Sequence, residues 1–504
     1  MKPIAIANSL WGNEGKFRYL FIAAVLLLFT YLGARDIWTQ EHRWADIVTG
    51  MFYRHDFLHP YLGENQYYDK PLLSYWLIAV IAKLTGSLTT FALRLPSALS
   101  ALLAIWSIYQ LGSTLKNRQL GLLAGWLLLT TFYFVFWART SSADMLNLAG
   151  SLFAVAWYMQ KRDTAGFFDY AIFFMVVALT SLCKGLVGMV VPLLVVFTDM
   201  CLQKSWRRHL RPVLLLALVP ALIIYLLPFM ASTYFGGKAY GESGLYLVYR
   251  ENILRYFQPF DHKGPIYTYF LYLPIYLLPW ALFFIPACIS LPARWKNLSP
   301  SSKWLAWVTF IIFLFFTLSG SRRSYYILPL VPFAILFTAD WLLASASIKR
   351  LVSSVYVTLI SFVVIFTMLD LLPAWYFSHY GANRFATILK DEAGKLKPWK
   401  TWNIVMLDAE SKLNFYLQLP PNTTNYNIKG SERDKQTTAS LMQAWSIENN
   451  KPANTIFISR KRYAALLQPY FTGYRMLEMP SAHFHLLGAK EERNAPIAFI
   501  PLSS

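Results

Sequence analysis

Over its first three quarters the chain alternates long apolar runs with short polar gaps, and after residue 372 that rhythm stops. A helix needs about 20 apolar residues to cross a hydrocarbon core of roughly 30 Å. Runs near that length lie at 17–34, 93–114, 120–138, 145–160, 167–183, 186–202, 212–230, 265–288, 304–319, 325–345 and 351–372, which predicts about eleven transmembrane helices. Residues 71–84, PLLSYWLIAVIAKL, are apolar but only fourteen long, about 21 Å as a helix. That is too short to cross, so the segment is expected at the membrane interface. From residue 44 to 54, Trp44, Ala45, Ile47, Val48, Met51 and Phe52 share one helical face. Arg43, Asp46, Thr49, Tyr53 and Arg54 take the other face, the pattern of a juxtamembrane helix lying flat on the surface. Beyond 372, short β-rich stretches such as TWNIVML (401–407) and NTIFISR (454–460) alternate with polar, helix-like segments. The pattern therefore predicts a polytopic α-helical membrane domain over 1–372 and a small soluble α/β domain over 373–504.

Charge gives this layout an orientation. Lys116/Arg118, Lys161/Arg162, Lys204/Arg207/Arg208/Arg211, Arg294/Lys296/Lys303 and Lys349/Arg350 fall in every second gap. The positive-inside rule places those gaps in the cytoplasm, with the N-terminus that carries Lys2, Lys16 and Arg18. Loops 35–70, 139–144, 231–264 and 320–324, and everything after 372, then face outward. Of 504 residues 56% are hydrophobic and 14% charged, against about a quarter charged in soluble proteins. That excludes an ordinary cytosolic enzyme and a disordered chain. The net charge of +20 belongs to the loops and not to nucleic-acid binding, since no zinc-finger spacing or long basic run accompanies it. Cys183, Cys201 and Cys288 lie in or beside apolar runs and read as core thiols. The first run lacks a small-residue cleavage site and reads as a retained helix.

The outward ends carry a dense polar set. The first loop holds Glu41, Arg43, Asp46, Tyr67, Asp69 and Lys70, and FWARTSSAD adds Arg139 and Asp144. CKGLVG adds Lys184, the long loop Arg250, Glu251, Arg255, His262 and Lys263, and SGSRRSYY adds Arg322, Arg323, Tyr325 and Tyr326. Any one of these can be an interfacial anchor. Five segments together read as a cationic pocket for a lipid phosphate or diphosphate, with Arg binding bidentately and Lys as a point charge.

The same motifs carry a family resemblance. QEHRWADIVTGMF followed by YYDKPLLSYWL resembles the first-loop signature of the bacterial branch of the protein O-mannosyltransferase superfamily (glycosyltransferase family 39-like), which includes aminoarabinose transferases that modify lipid A. RLPSAL at 94–99, the Arg139 and Asp144 motif, CKGLVG, YRENILRYF with HKGPIYTYF, and SRRSYYILPLVP continue it in order, over most of 17–345. The resemblance implies a GT-C fold glycosyltransferase of the bacterial inner membrane, with its site and C-terminal domain on the periplasmic side. The donor it implies is a sugar on undecaprenyl (polyprenyl) phosphate, and the acceptor a periplasmic glycolipid such as lipid A, a glycan or a protein. Carried over by position, Lys70 matches the lysine that approaches the lipid phosphate, with Tyr67 beside it, and Asp144 the acidic partner of that lysine. Arg322 stands where relatives often have Lys, and Tyr326 matches a phosphate-contacting tyrosine. Asp69 and His262 match positions that hold a structural divalent metal in some members. Two ligands are too few for one, so a plain Asp–His hydrogen bond is expected and no cofactor is required. Where the family shows an Asp-Glu pair, this chain has Gln40 and Glu41. An amide cannot take a proton, so Glu41 is the expected base, ahead of Asp46 and Asp36.

The expected reaction inverts the anomeric carbon and releases lipid phosphate, whose growing charge Lys70, Arg322 and Tyr326 would bind. It needs no nucleotide, and the chain has no GxGxxG or Walker A pattern. A transporter or flippase of a lipid-linked precursor is the competing class. It would show functional charges at midplane and repeated halves, neither of which the sequence has. A scaffold would leave the boundary charges unexplained.

Overall fold

The structure is a computed structural model that describes residues 16–37, 40–63, 65–68, 70–236, 248–345, 381–420, 425–426, 454–479 and 494–502, with a few single positions between. Its contacts divide the chain into two compact units. The first comprises Met1–Leu32, Phe57–Pro60 and Gln66–Thr367; the second comprises Gly33–Asp56, Tyr61–Asn65 and Met368–Ser504.

The first unit is a bundle of apolar helices. Among the described residues five are long and apolar enough to cross a membrane: Thr90–Leu115, Phe167–Lys184, Pro212–Phe235, Pro300–Leu318 and Ser324–Ala344. Arg118–Leu129 and Phe132–Ala138, bent by 71°, make a sixth if they form one span. The unit is thus that of a multi-pass membrane protein. The eleven predicted runs do not all become unbroken helices. Run 265–288 divides into Thr268–Tyr276 and Ala281–Ile289, with Pro274, Pro279 and Pro286 along it. Each proline removes a backbone donor, which a count of apolar residues cannot register. The first run yields only Phe17–Phe29, and run 351–372 falls outside the described residues. Leu73–Leu84 has 12 residues, about 18 Å of helix, in keeping with an interfacial segment.

Polar caps set where these helices begin. Thr89, Asn117 and Ser142 side chains accept from Ala92, Leu120 and Asp144 N–H at 3.1, 2.9 and 3.2 Å. Gly112 and Gly121 let Thr90–Leu115 and Arg118–Leu129 touch backbone to backbone, since a Cβ on Gly121 would lie 2.2 Å from Tyr109 O. The gaps rich in Lys and Arg do more than report orientation. Asp199, fully buried, accepts from Arg162 Nη1 at 2.5 Å and Tyr158 OH at 2.9 Å. Lys116 and Ser302 share Asp340 at 2.5 and 2.6 Å. Buried carboxylates need such partners, so part of the positive charge ties helix ends together.

The second unit is an α/β domain. Its strands are β1 (Asn403–Leu407), β2 (Asn425–Tyr426), β3 (Thr455–Arg460), β4 (Tyr474–Glu478) and β5 (Pro496–Pro501), in the order β2-β1-β3-β5-β4. β1 runs parallel to β2 and to β3, while β5 is antiparallel to β3 and β4. Both faces are covered, which explains the unbroken apolar stretch at 456–458. Met406, Ile456, Ile458, Ala498 and Ile500 pack under Ala382–Gly394 and Lys412–Leu417. Val405, Leu407, Phe457, Ile497 and Phe499 meet Tyr463, Leu467 and Phe471 on the other side.

This unit also takes in the first loop. A division of the chain at 372 cuts it once, whereas the structure joins 33–56 to 368–504. Asp36 makes that join: its carboxylate accepts the Ala382 N–H at 2.8 Å and lies 3.7 Å from Lys412 Nζ. The Ile37 N–H donates to Tyr416 OH at 2.9 Å. The amphipathic helix Glu41–Arg54 forms as its pattern predicts, with Trp44, Ala45, Ile47, Val48 and Met51 buried.

Candidate functional site

Two breaks in the helices gather the polar residues of the first unit. Between Phe167–Lys184 and Val187–Gln203, Gly185 takes φ 105°, a conformation that side chains resist. Opposite it the π-helical turn Tyr249–Leu254 presents Asn252, whose Oδ1 accepts the Leu186 N–H at 2.8 Å. Asn252 Nδ2 donates back to Val248 O at 2.9 Å. A Cβ on Gly185 would sit 2.5 Å from Asn252 Oδ1, so the two are interlocked. The lock fixes Lys184 on one side and the Glu251–Arg255 turn on the other. π-helical turns are rare and recur at functional sites.

Around this lock the charges form a chain. Lys184 pairs with Asp144, and its Nζ stands 5.3 Å from the centre of the Tyr326 ring. Asp144, the acidic residue the resemblance assigned to Lys70, is thus ion-paired with Lys184. Arg255 reaches Glu251 at 2.8 Å and pairs with Asp261. Asp261 Oδ2 lies 3.3 Å from His262 Nε2, and Arg323 Nη2 donates to His262 Nδ1 at 3.0 Å. A donor at Nδ1 places the ring proton on Nε2. Burial, and then the charge of Arg323, hold the His262 imidazole below its ordinary range, with Lys70 acting in the same direction. Lys70, Lys184, Arg255 and Arg323 thus oppose Asp144, Glu251 and Asp261 in one neighbourhood. Two of its atoms, Arg255 Nε and Asp261 Oδ1, are buried without a hydrogen-bond partner. Buried polar atoms are ordinarily satisfied, and these two are left over among the described residues of the charged chain.

Two of the predicted site residues also brace the backbone. Arg322 directs Nη1 to Gly264 O and both Nε and Nη2 to Thr317 O at 3.2 and 3.0 Å. Its backbone N–H meets His262 O at 2.8 Å, so the SRRSYY segment is strapped to the 262–264 turn. Three of the five guanidinium N–H groups of Arg322 are thus taken by backbone carbonyls, while Arg323 is turned toward His262. Arg139 donates to Leu27 O and Thr30 O, each at 2.8 Å, and caps the end of Phe17–Phe29. Arg94 of RLPSAL, 1% exposed, adds Leu32 O at 3.0 Å. Tyr67 is anchored by its backbone N–H to Pro60 O at 2.8 Å. Asp69 lies outside the described residues, so the expected Asp69–His262 contact does too. The sequence reading passed over Asp261 and Asn252, although DHK at 261–263 and the glycine after Lys184 were visible signals.

Glu41, Arg43 and Asp46 belong to the second unit, on Glu41–Arg54. Glu41 opens that helix, where the dipole favours a carboxylate, and is fully buried with interactions of its own. Asp46 is half-buried, and no ion pair or hydrogen bond holds it among the described residues. Burial pushes its carboxyl up to about 7.

Residues 69–231 match the family described as dolichyl-phosphate-mannose-protein mannosyltransferase. An undecaprenyl phosphate-alpha-4-amino-4-deoxy-L-arabinose arabinosyl transferase of Shewanella sediminis is 28% identical over 344 residues, 64% of this chain and 60% of the relative. Its counterpart in Aeromonas salmonicida is 29% identical over 330 residues, 61% of this chain and 57% of the relative. The chain thus spans about 60% of the length of these relatives. In fold it is similar to ArnT from Cupriavidus metallidurans solved with undecaprenyl phosphate, with TM-score 0.70 and 18% identity over 96% of this chain and 97% of the other. An Archaeoglobus fulgidus oligosaccharyltransferase superposes with TM-score 0.51 and 11% identity, over 97% of this chain and 75% of the other.

Proposed function

From the premise that this chain has the fold of ArnT and resembles the GT-C, family 39-like glycosyltransferase superfamily, we propose that it transfers a sugar from a polyprenyl phosphate to an envelope acceptor. The observation that carries the reading is the unfilled polar valence at Arg255 Nε and Asp261 Oδ1, set among four cations. An acceptor hydroxyl attacks the anomeric carbon from the face opposite the phosphate. The carbon–oxygen bond to phosphate breaks with inversion, and its electron pair leaves on the phosphate oxygen. Lys70, Lys184, Arg255 and Arg323 bind that charge more strongly as it grows, which lowers the barrier. Tyr326, beneath Lys184, supplies a hydroxyl to the same oxygen set.

The hydroxyl's proton passes to a carboxylate of Glu41–Arg54. Asp46 suits the task, because a base poised near 7 is deprotonated in part and still basic enough to act. Glu41 keeps the place implied by the family's Asp-Glu pair. The relatives' names favour an aminopentose on undecaprenyl phosphate as donor, and a glycolipid such as lipid A as acceptor. The alternating basic gaps support a site and α/β domain facing the periplasm.

Deletion of the gene followed by mass spectrometry of lipid A and of envelope glycoproteins tests this. Loss of an aminopentose mass from lipid A is the expected result. Loss from protein alone would move the acceptor, and unchanged spectra in both pools would overturn the transferase reading.

A further inference from the structure

The sheet of the second unit has its own topological switch point. β1 and β3 are parallel neighbours, paired from Asn403↔Thr455 to Met406↔Ile458. From β1 the chain goes to β2 on one side, and from β3 it goes to β4 at the opposite edge. In open α/β sheets, ligands bind outside the carboxyl ends of strands where connections diverge in this way.

The residues at these two ends form a charged cluster. Asp408, directly after β1, is held at φ 49°, a left-handed conformation uncommon outside glycine. Its N–H donates to Tyr426 O at 2.6 Å. Asn425 clamps the next residue, accepting the Ala409 N–H at 3.1 Å and donating to Ala409 O at 2.9 Å. Onto the carboxylate come three donors from the end of β3. Tyr463 OH and Arg462 Nη2 reach Oδ2 at 2.5 and 3.0 Å, and Arg460 Nη2 lies 3.5 Å from Oδ1. Arg460 Nε is buried with no partner among the described residues. The side chains of Asp408, Arg460 and Arg462 stay 17, 23 and 38% exposed, so the cluster is reachable from solvent. Joining two strand ends needs only the Tyr463–Asp408 bond. A second guanidinium and an orphan N–H exceed that need.

We propose that this crevice binds a phosphorylated sugar, with Arg460 and Arg462 on the phosphate and Asp408 accepting a sugar hydroxyl. Two guanidiniums against one carboxylate leave net positive charge and planar forks suited to phosphate oxygens. Asp408 accepts three donors, and a carboxylate has about four acceptor sites. The proposal stands apart from the transferase reading, since none of its residues takes part in the proposed transfer.

The test uses the full chain in phosphatidylcholine nanodiscs. Glucose 1-phosphate, inorganic phosphate and glucose are titrated while hydrogen exchange is followed at 408–411 and 460–463. Glucose 1-phosphate is expected to protect both segments at a concentration at least tenfold below inorganic phosphate, and glucose to protect neither. Arg460→Ala and Arg462→Ala should each raise the half-protecting concentration tenfold or more. If an alanine variant loosens the sheet, Arg462→Lys carries the comparison, because it keeps the charge and removes the fork. Protection by nanodiscs containing lipid A would assign the source to a lipid headgroup, and protection by glucose 1-phosphate alone to a free sugar phosphate. No protection by any probe, wild-type affinity in the double alanine variant, or equal affinity for inorganic phosphate would each overturn the proposal.

Discussion

Arg322 sends three N–H groups to the carbonyls of Thr317 and Gly264, so alanine there strips a brace and leaves the phosphate pocket's charges in place. We expect Arg322→Ala to lose about 1–3 kcal/mol of stability with the donor KM unchanged. Arg323→Ala, with its side chain on His262, should instead raise the donor KM or lower kcat at least tenfold. Thermal unfolding and donor titration of both variants separate the two roles, and the reverse result would return Arg322 to the pocket. Asp46 gives a pH prediction. A carboxyl held at about 7 is protonated below that value and can act as a base only above it. Activity of the wild type should therefore rise with pH through about 7. Asp46→Asn should lose that rise and about 10²-fold in turnover. If Glu41→Gln loses turnover and Asp46→Asn keeps it, the base is Glu41. From sequence alone Glu41 stood first because alignment with a family pair ranks positions, and such an alignment carries nothing about how burial shifts a carboxyl such as Asp46. Burial depends on residues brought in from elsewhere in the chain, and no local pattern reveals it.

At the scale of elements, what was legible followed from periodicity and what was hidden followed from breaks. The amphipathic stripe of Glu41–Arg54 and the apolar strands near 403 and 455 formed where their patterns put them. Run 265–288 read as one span, and its prolines made two helices of it. The Gly185–Asn252 interlock lies at another break, and its partners are 67 positions apart (252 − 185), beyond any local pattern. Gly185→Ala faces both the strain of a positive φ, about 1–2 kcal/mol, and a Cβ 2.5 Å from Asn252 Oδ1. We expect it to displace Lys184 and cut turnover more than tenfold. Asn252→Ala, which removes the obstacle, should partly restore Gly185→Ala when the two are combined. A double variant no better than Gly185→Ala would show that the glycine's conformation alone matters. The motif CKGLVG therefore holds two functions, a charged side chain and the break that aims it.

For the whole molecule, orientation is the first thing to measure. Reporter fusions after residue 60 and after residue 400 should both be active in a periplasm-dependent assay, and two inactive fusions would reverse the basic-gap argument. The sequence showed a membrane part and an appended α/β part, because apolar run length and strand alternation are local signals. It did not show that residues 33–56 join the appended part, because that join depends on Asp36 meeting Ala382 and Lys412 across some 350 positions. A chain ending at 372 should accordingly lack transfer activity, and separately exported 368–504 should restore it in part. Failure of the added segment to restore activity would mean that the join forms only within one chain. That join also sets a timetable for biogenesis. The loop bearing Asp46 leaves the ribosome early, ahead of most of the apolar helices. Its packing partners are translated almost last. Until then Asp36 is without Ala382 and Lys412, the partners that tie its loop to the α/β domain. On the proposed reading, competence arrives only at the end of synthesis, and a chain stopped early would carry the cationic residues of the first unit without a finished second unit.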